Sequence, residues 1–402
     1  MRKQLLFTTA VLLFLILGTV IVVLYGRGYT FDFSKGKIDL SGTGLLVTTS
    51  TPDGASVYVN DHLTTATDNT INLAPGDYSV RIEKDGYFPW QKNIHIEKEV
   101  VAKADALLFP KAPSIESLTS EGVQNPRLDP SQTRIAYTVA SESAKKNGIY
   151  VFDMSARPVL TLQSASIQIV DESIDRFSDA TLSWSPDGKE LVATIAGELR
   201  GPTTYLLDAT RFNASPQDVT NTLYAVQARW QALKTQKEQA RIAGLKKTLQ
   251  KQLKDNFTIL AWSPDDSKIL YTASRSATLP VIIKPRLIGV DSTKENRKLE
   301  KGNLYVYDIK EDRNYPIDLF QDVPAEFLSP PIQWFPDSKH LIAIKNNQIQ
   351  ILEYDSGNPT TIYAGPFVDH SVFPWPNTSK IVILTHLGNP TIPANLYTID
   401  LK

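Results

Sequence analysis

Three aspartates recur in the same short context and are the first candidates for chemistry in this sequence. Asp187, Asp265 and Asp337 each follow a proline that stands two residues after a tryptophan. Carboxylates can act as general acids or bases, or as metal ligands, when several converge on one site. An aspartate beside a turn proline more often caps backbone N–H groups. The pattern favours the turn-capping role, and no catalytic residue, metal ligand or cofactor is predicted.

Other motifs with known chemistry are missing from the sequence. The 402 residues include no cysteine, which excludes a disulfide framework, a thiolate nucleophile and Cys-bound zinc. There is no Gly-x-Ser-x-Gly elbow, His-Glu-x-x-His motif, EF-hand loop, Walker loop or Gly-x-Gly-x-x-Gly. The formal net charge of −1 does not indicate nucleic acid binding. We therefore expect a protein that is not an enzyme. The histidines, which show no metal-ligand spacing, are His62, His95, His340, His370 and His386.

The aspartates belong to a repeat that predicts the elements around them. Each copy has a bulky residue, a proline turn and a short apolar run, and a further strand follows that tends to end in an acid. Trp334 and Trp375 are 41 residues apart, a period that suits a four-stranded propeller blade. The motif residues of the five copies are Leu128, Pro130, Trp184, Pro186, Asp187, Gly188, Trp262, Pro264, Asp265, Trp334, Pro336, Asp337 and Trp375.

This repeat resembles the WD40-like repeat of TolB-type proteins and of the propellers in prolyl-oligopeptidase-like enzymes. Residues 184–189 match the pattern in full. The resemblance implies an all-β protein with a β-propeller over residues 114–402, in which five blades are visible and five to seven are possible. The tryptophans are expected to pack between blades. The fifth repeat lacks an outer strand before the sequence stops, and residues 114–118 are predicted to supply it.

A second, smaller β pattern precedes the repeats. Residues 56–60, 78–83 and 93–97 alternate between apolar and polar side chains, which predicts strands. The region from about 45 to 108 resembles the PEGA domain, a small β-sandwich of bacterial surface proteins. The resemblance implies a spacer or adhesive module, followed by a linker at residues 109–113. The matching residues are Pro52, Asp53, Gly54, Ala55, Pro75, Gly76, Tyr78, Gly86 and Tyr87.

The amino terminus carries a long apolar run. Residues 5–24 are interrupted only by three threonines and a glycine, and twenty helical residues span a bilayer core of roughly 30 Å. A cleaved signal peptide would have a shorter apolar region and a small-x-small site, which this sequence lacks. Residues 1–25 are therefore predicted to be an uncleaved transmembrane anchor, followed by a spacer at 26–44. We expect the amino terminus in the cytoplasm and residues 26–402 outside the cell membrane, because long domains translocate largely regardless of charge.

An amphipathic insertion separates the first strong match of the repeat, at Trp184, from the second, at Trp262. Residues 215–218 predict a helix start, and apolar residues then fall at spacings of three and four. One helix over residues 216–255 and a hairpin that breaks near residues 235–238 both fit this pattern. The basic residues predict either an arm that docks on an acidic phospholipid, wall polymer or protein, or the solvated face of a helix. They are Arg229, Lys234, Lys237, Arg241, Lys246, Lys247, Lys251 and Lys254.

Three functions remain open at this level. The anchor, spacer and propeller favour a non-enzymatic, membrane-anchored binding or scaffold protein of a bacterial envelope, with a protein, peptide or glycan ligand. One alternative is a propeller hydrolase or lyase that acts on envelope polymers. The other is an envelope sensor that acts through a membrane partner, because residues 1–4 are too few for an output domain.

Overall fold

The computed structural model describes residues 2–26, 29–32, 39–141, 143, 145–155, 166–197, 201–320, 332–368 and 371–402. His370 and parts of the predicted spacer lie outside these residues. The chain is mostly β and divides into two compact units. Unit 1 combines Met1–Lys111 with Ile283–Glu295, and unit 2 combines Ala112–Ile282 with Asn296–Lys402.

Unit 1 begins with helix α1, which covers Arg2–Gly26 and coincides with the predicted anchor. Among the residues that the structure describes in full, no helix is both long and apolar enough to cross a membrane. The predicted spacer contains a short antiparallel hairpin. The strands of unit 1 are β1 Tyr29–Asp32, β2 Asp39–Gly42, β3 Gly44–Thr51, β4 Ser56–Val59, β5 His62–Ala66, β6 Asn69–Leu73, β7 Gly76–Glu83, β8 Trp90–Ile96 and β9 Val101–Leu107.

Two sheets share one core in unit 1. The order β6-β3-β9 forms a three-stranded sheet with β3 parallel to β9, and the order β5-β4-β7-β8 forms a four-stranded one. Buried and half-buried residues alternate along β3, so one face of the strand points to the core. The first residue of this strand is a glycine, Gly44, because a Cβ at this position would lie 2.3 Å from the carbonyl oxygen of Glu97. The strands predicted at residues 56–60, 78–83 and 93–97 fall on β4, β7 and β8.

Residues 283–295 join unit 1 from far along the sequence. Lys92 on β8 donates to Asp291 at 3.0 Å, and the backbone N–H of His95 donates to the Ser292 hydroxyl at 2.9 Å. The Lys92 and Asp291 side chains are only 16% and 9% exposed, so this ion pair is better shielded from solvent than a surface pair.

Unit 2 contains five four-stranded antiparallel sheets in its described part, which we number in chain order. Sheet 1 runs β11-β12-β13-β14, sheet 2 β15-β16-β17-β18, sheet 3 β19-β20-β23-β24, sheet 4 β25-β26-β27-β28 and sheet 5 β29-β30-β31-β10. The strands are β10 Ile115–Ser117, β11 Gln124–Leu128, β12 Arg134–Val139, β13 Gly148–Asp153, β14 Ser166–Asp171, β15 Thr181–Trp184, β16 Glu190–Ile195, β17 Thr203–Asp208, β18 Gln217–Asp218, β19 Phe257–Trp262, β20 Lys268–Ala273, β21 Ala277–Thr278, β22 Lys298–Leu299, β23 Leu304–Asp308, β24 Arg313–Pro316, β25 Ile332–Trp334, β26 His340–Lys345, β27 Gln348–Glu353, β28 Thr360–Tyr363, β29 Val372–Pro374, β30 Lys380–Thr385 and β31 Asn395–Asp400.

The last sheet is completed by the first strand of the unit. Ile115 on β10 pairs with Ile399 on β31, so a strand from the start of unit 2 forms the outer edge of sheet 5. The prediction that residues 114–118 supply this strand is confirmed. Four-stranded antiparallel sheets, one of them completed by a strand from the other end of the unit, are also found in β-propellers.

Neighbouring sheets of unit 2 bury apolar side chains against each other. One core joins sheets 1 and 2, a second joins sheets 3 and 4, and a third joins sheets 5 and 1. The amide nitrogen of Gln333 in sheet 4 donates to the Val372 carbonyl of sheet 5 at 2.7 Å. Each fully buried Leu, Ile or Val contributes about 1.5–3 kcal/mol, so these shared cores are the main source of stability.

The helical insertion departs from both predicted forms. It contains helix α2, Leu223–Ala243, and helix α3, Lys247–Asn256. The predicted start near residue 216 is wrong because β18 takes Gln217 and Asp218 into sheet 2. The unbroken helix and the break near residues 235–238 are also wrong, because the chain turns at residues 244–246, where Lys246 is extended at φ −60° and ψ 139°. Gly244, a poor helix former, stands at this turn.

Candidate binding groove

The bulky residues of the repeat occupy equivalent places in the five sheets. Leu128, Trp184, Trp262 and Trp334 end the first strand of sheets 1 to 4, and Trp375 directly follows the first strand of sheet 5. Trp184, Trp334 and Trp375 pack in the cores between sheets. Trp262 packs instead in the core that sheet 3 shares with the helices. The residues that follow in the turns are Pro130, Pro186, Gly188, Pro264 and Pro336.

The repeat aspartates are engaged inside their own turns. Ser185 donates its hydroxyl hydrogen to Asp187 at 2.7 Å, and its oxygen accepts the backbone N–H of Glu190 at 2.9 Å. Ser263 and Asp265 make the same contact in sheet 3 at 2.8 Å. The hydrogen bond from Ser185 is the main cause that lowers the pKa of Asp187. These carboxylates therefore act as ionised turn caps.

Sheet 4 uses a histidine where the turns of sheets 2 and 3 use a serine. Phe335 replaces the serine, and Nδ1 of His340 lies 2.6 Å from Oδ2 of Asp337. Burial alone would raise the pKa of Asp337 and lower that of His340, but their hydrogen bond and opposite charges outweigh burial. The pKa of Asp337 is lowered and the pKa of His340 is raised, so the pair is held in its ionised form. Within the described ranges, His, Asp and Glu form no group of three suited to a metal ion.

The motif residues of the small domain build its turns and core. Ala55 is fully buried, and the Tyr78 hydroxyl donates to the Ala74 carbonyl at 3.0 Å. The Asp53 carbonyl accepts a hydrogen bond from Lys84 at 2.6 Å. Gly54 has a φ of +69°, a conformation that favours glycine. The rest of the set are Pro52, Pro75, Gly76, Gly86 and Tyr87, and Tyr87 packs against the unit 1 core.

Three basic residues of α2 are bound to the turns and strands of the sheets. Arg229 lies 2.6 Å from the carboxylate of Glu190, which also accepts the indole N–H of Trp230 at 3.1 Å. Lys237 donates to the Pro186 carbonyl at 2.8 Å. Arg241 lies 2.9 Å from the Asp266 carboxylate. We call Arg229, Lys237 and Arg241 the paired cations, because each side chain binds a partner within the chain.

Arg241 makes the contact that a neighbouring sheet makes elsewhere in unit 2. Arg134 of sheet 1 lies 5.1 Å from the ring of Trp184 and donates to the Gly188 carbonyl of sheet 2. Arg241 lies 5.8 Å from the ring of Trp262 and binds Asp266, the residue that corresponds to Gly188 in the repeat. Apolar residues of α2 also pack on sheet 2, and those of α3 pack on sheet 3. The helical insertion therefore packs against both of these sheets.

The other five basic residues of the insertion are exposed, and their side chains make no hydrogen bond or ion pair with the residues that the structure describes. We call them the unpaired lysines: Lys234, Lys246, Lys247, Lys251 and Lys254. Three of them, Lys247, Lys251 and Lys254, stand at spacings of four and three on α3 and so share one side of that helix. The structure thus divides the predicted basic arm into a bound part and a solvent-facing part.

These three lysines line a groove between the helices and β19. Its volume is about 820 Å³, and we call it the lysine groove. Ile242, Leu253, Phe257 and Ile259 supply its apolar lining, and Glu238 supplies a carboxylate. The ring of Phe257 stacks on Tyr271 with centroids 3.5 Å apart, which fixes this part of the lining against sheet 3. Sequence reasoning found the basic residues and the apolar stripes, but the two helices had to be placed before a groove could be seen.

Comparisons with known proteins support the small domain. The family model described as the PEGA domain matches residues 43–111. The predicted resemblance over residues 45–108 is confirmed. Comparison with curated proteins gives no match.

Solved structures similar to the chain include β-propeller proteins. TolB from Acinetobacter baumannii is 17% identical with a TM-score of 0.23, and the match covers 81% of this chain and 60% of that chain. The chain thus spans only 60% of the length of that TolB. The β-propeller domain of the Trilobed protease from Pyrococcus furiosus is 13% identical with a TM-score of 0.24, covering 89% and 96% of the two chains. TM-scores this low carry no argument about function.

Proposed function

We propose that the chain is a membrane-anchored, non-enzymatic binding protein of a bacterial cell envelope that holds a protein or peptide ligand in the lysine groove. The lysine groove carries this proposal because it joins apolar side chains and unpaired cations in one concave surface. Ligand sites are typically concave and mostly apolar, with a few polar groups that fix the orientation of the ligand.

The contacts of the repeat aspartates support a role other than catalysis. Asp187 and Asp265 accept hydrogen bonds from neighbouring serines, and Asp337 is bound to His340. General acid–base catalysis needs a carboxylate within hydrogen-bond reach of a substrate proton. Side chains that already cap turns are better suited to holding sheets 2, 3 and 4 in shape. The sheets then serve as a rigid support for the groove.

Helix α1 supports the anchor. Phe7, Phe14 and Val22 are 72%, 75% and 70% exposed, and they are large apolar side chains on the same helix. Exposed apolar surface of this kind is stabilised when it is buried away from water. A lipid bilayer is the environment that suits an apolar helix. In this proposal the amino terminus is cytoplasmic, residues 26–402 are extracytoplasmic, and the PEGA-like domain is the spacer.

Two measurements in the native host test this proposal. Carbonate-washed membranes should retain the full chain and lose a variant that lacks residues 2–26. Protease added outside intact cells should digest unit 2, because this unit is accessible only when it is extracytoplasmic. A photo-crosslinking amino acid at Gln250, which lines the groove, should yield a light-dependent protein adduct. The same amino acid at exposed Thr64 is the matched control. A soluble full chain would refute the anchor, and identical patterns from Gln250 and Thr64 would refute the binding role.

A further inference from the structure

We infer that the lysine groove binds an acidic amphipathic helix of a partner protein, with the apolar face of that helix against Ile242 and Ile259 and its carboxylates beside Lys247, Lys251 and Lys254. This inference rests on the proposed binding function and specifies the chemistry of the ligand.

The shape of the groove favours a helix over a flat surface. Leu249 and Leu253 of α3 are each 4% exposed, so the apolar stripe of this helix is already covered by sheet 3. The half-buried side chains Ile242 and Ile259 lie at the concave surface between the helices and β19. A helix that binds a bilayer surface needs its apolar face exposed to the acyl chains. An amphipathic partner helix can reach into a groove, as in other helix-in-groove complexes.

The charge of the lining favours an acidic ligand. Three lysines and one glutamate line the groove, which gives a formal charge of +2. Lys247, Lys251 and Lys254 are exposed and have no acidic partner among the described residues, in contrast to the paired cations. Complementary charges steer association and fix the register of a complex. A partner helix with Glu or Asp on the flanks of its apolar face complements both the lysines and the apolar lining of the groove.

The spacing of the lysines sets the length of the contact. Lys254 stands seven positions after Lys247, and a helix rises about 1.5 Å per residue, so the stripe is roughly 10 Å long. A partner helix that lies along α3 presents carboxylates at i, i+4 and i+7 with the same rise. Two to three helical turns are therefore enough to meet all three lysines. An extended strand covers this length in about three residues, and its side chains alternate between faces.

A direct test uses the full chain in lipid nanodiscs and two labelled peptides of fourteen residues. The acidic peptide has Leu at i, i+3, i+4 and i+7 with Glu at the other positions, and the basic peptide has Lys in place of every Glu. Fluorescence anisotropy should show that the acidic peptide binds and that the basic peptide does not. K247E/K251E/K254E should weaken acidic-peptide binding by roughly tenfold or more, since exposed ion pairs each contribute about 0.2–1 kcal/mol.

The matched control changes the same number of charges elsewhere in unit 2. Lys145, Lys189 and Lys301 are exposed and do not line the groove, so K145E/K189E/K301E should leave acidic-peptide binding within about twofold of the unchanged chain. The charge-reversed groove variant should also gain binding to the basic peptide. Thermal unfolding of both triple variants checks that each retains the fold.

Three results would overturn the inference. They are equal binding of the two peptides, equal loss in the two triple variants, or lysine-dependent binding to phosphatidylserine vesicles in place of the acidic peptide. A crosslink from Gln250 that persists in K247E/K251E/K254E would show that the binding role stands and that the acidic-helix ligand is wrong. Absence of any Gln250 adduct would refute the proposed function itself.

Discussion

The two helices of the insertion carry similar charges and use them differently. The cations of α2 that face the sheets are bound, with Arg229 on Glu190 and Arg241 on Asp266. The lysines of α3 face solvent beside an apolar groove. One basic segment of the sequence therefore has two parts, because part of it joins neighbouring sheets and part of it faces solvent at the groove where we propose that a ligand binds. The comparison predicts that changes in α2 alter stability and that changes in α3 alter binding.

The largest expected effect comes from the apolar contact of α2. Trp230 is 9% exposed, packs with Val192 and Val219, and donates its indole N–H to Glu190. W230A should lower the free energy of unfolding by about 3 kcal/mol or more, as for other buried aromatic residues truncated to alanine. Urea denaturation monitored by circular dichroism measures this change. W230F keeps most of the packing and should lose far less. Equal losses for the two variants would show that packing is not the main contribution.

A second effect is a pH dependence of stability that arises in sheet 4 and not in the helices. The raised pKa of His340 means that its stabilisation is complete below its unfolded value near 6.5 and is lost as pH rises through the folded pKa. The lowered pKa of Asp337 means that its stabilisation is complete above about pH 4 and is lost as pH falls through the folded pKa. The pair therefore stabilises sheet 4 most between about pH 4 and 6.5.

The thermal unfolding midpoint of the unchanged chain should fall between pH 6 and 8.5 by more than that of H340Q, which cannot titrate at this position. Peptide binding at the lysine groove, measured at the same pH values below the unfolding temperature, should not differ between the two chains. Parallel midpoint curves for the unchanged chain and H340Q would contradict the assignment to His340.

A third effect tests whether Arg241 and Arg134 make equivalent contacts, each with the tryptophan of a different sheet. R241A removes a half-exposed ion pair with Asp266 and a cation–π contact with Trp262, and it should lower the free energy of unfolding by about 1 kcal/mol. R134A removes the corresponding contact with Trp184 and should have an effect of similar size. A neutral R241A beside a destabilising R134A would show that the helix does not act as a neighbouring sheet does.

The sequence predicted the repeating parts of this fold better than the insertion. The bulky residues and prolines marked the end of each first strand, because local turn chemistry specifies these positions. The completion of sheet 5 by β10 was also predicted, because the fifth repeat lacks an outer strand and the segment before the first repeat could supply it. The start of α2 was not, because pairing of Gln217 and Asp218 with β17 overrides a local helix signal. The tertiary pairing of Arg241 with Asp266 leaves no local pattern, so bound and free cations could not be separated.

The smallest expected effect on stability comes from the lysines that we propose bind the ligand. Lys247, Lys251 and Lys254 make no ion pair with described residues, so K247A/K251A/K254A removes charge without removing an internal contact. Alanine is also the best helix former, and the free energy of unfolding should change by less than about 0.5 kcal/mol per site, of either sign. The same variant should bind the acidic peptide more weakly. A large loss of stability would mean that these lysines belong with the paired cations, and the distinction between the two helices would fail.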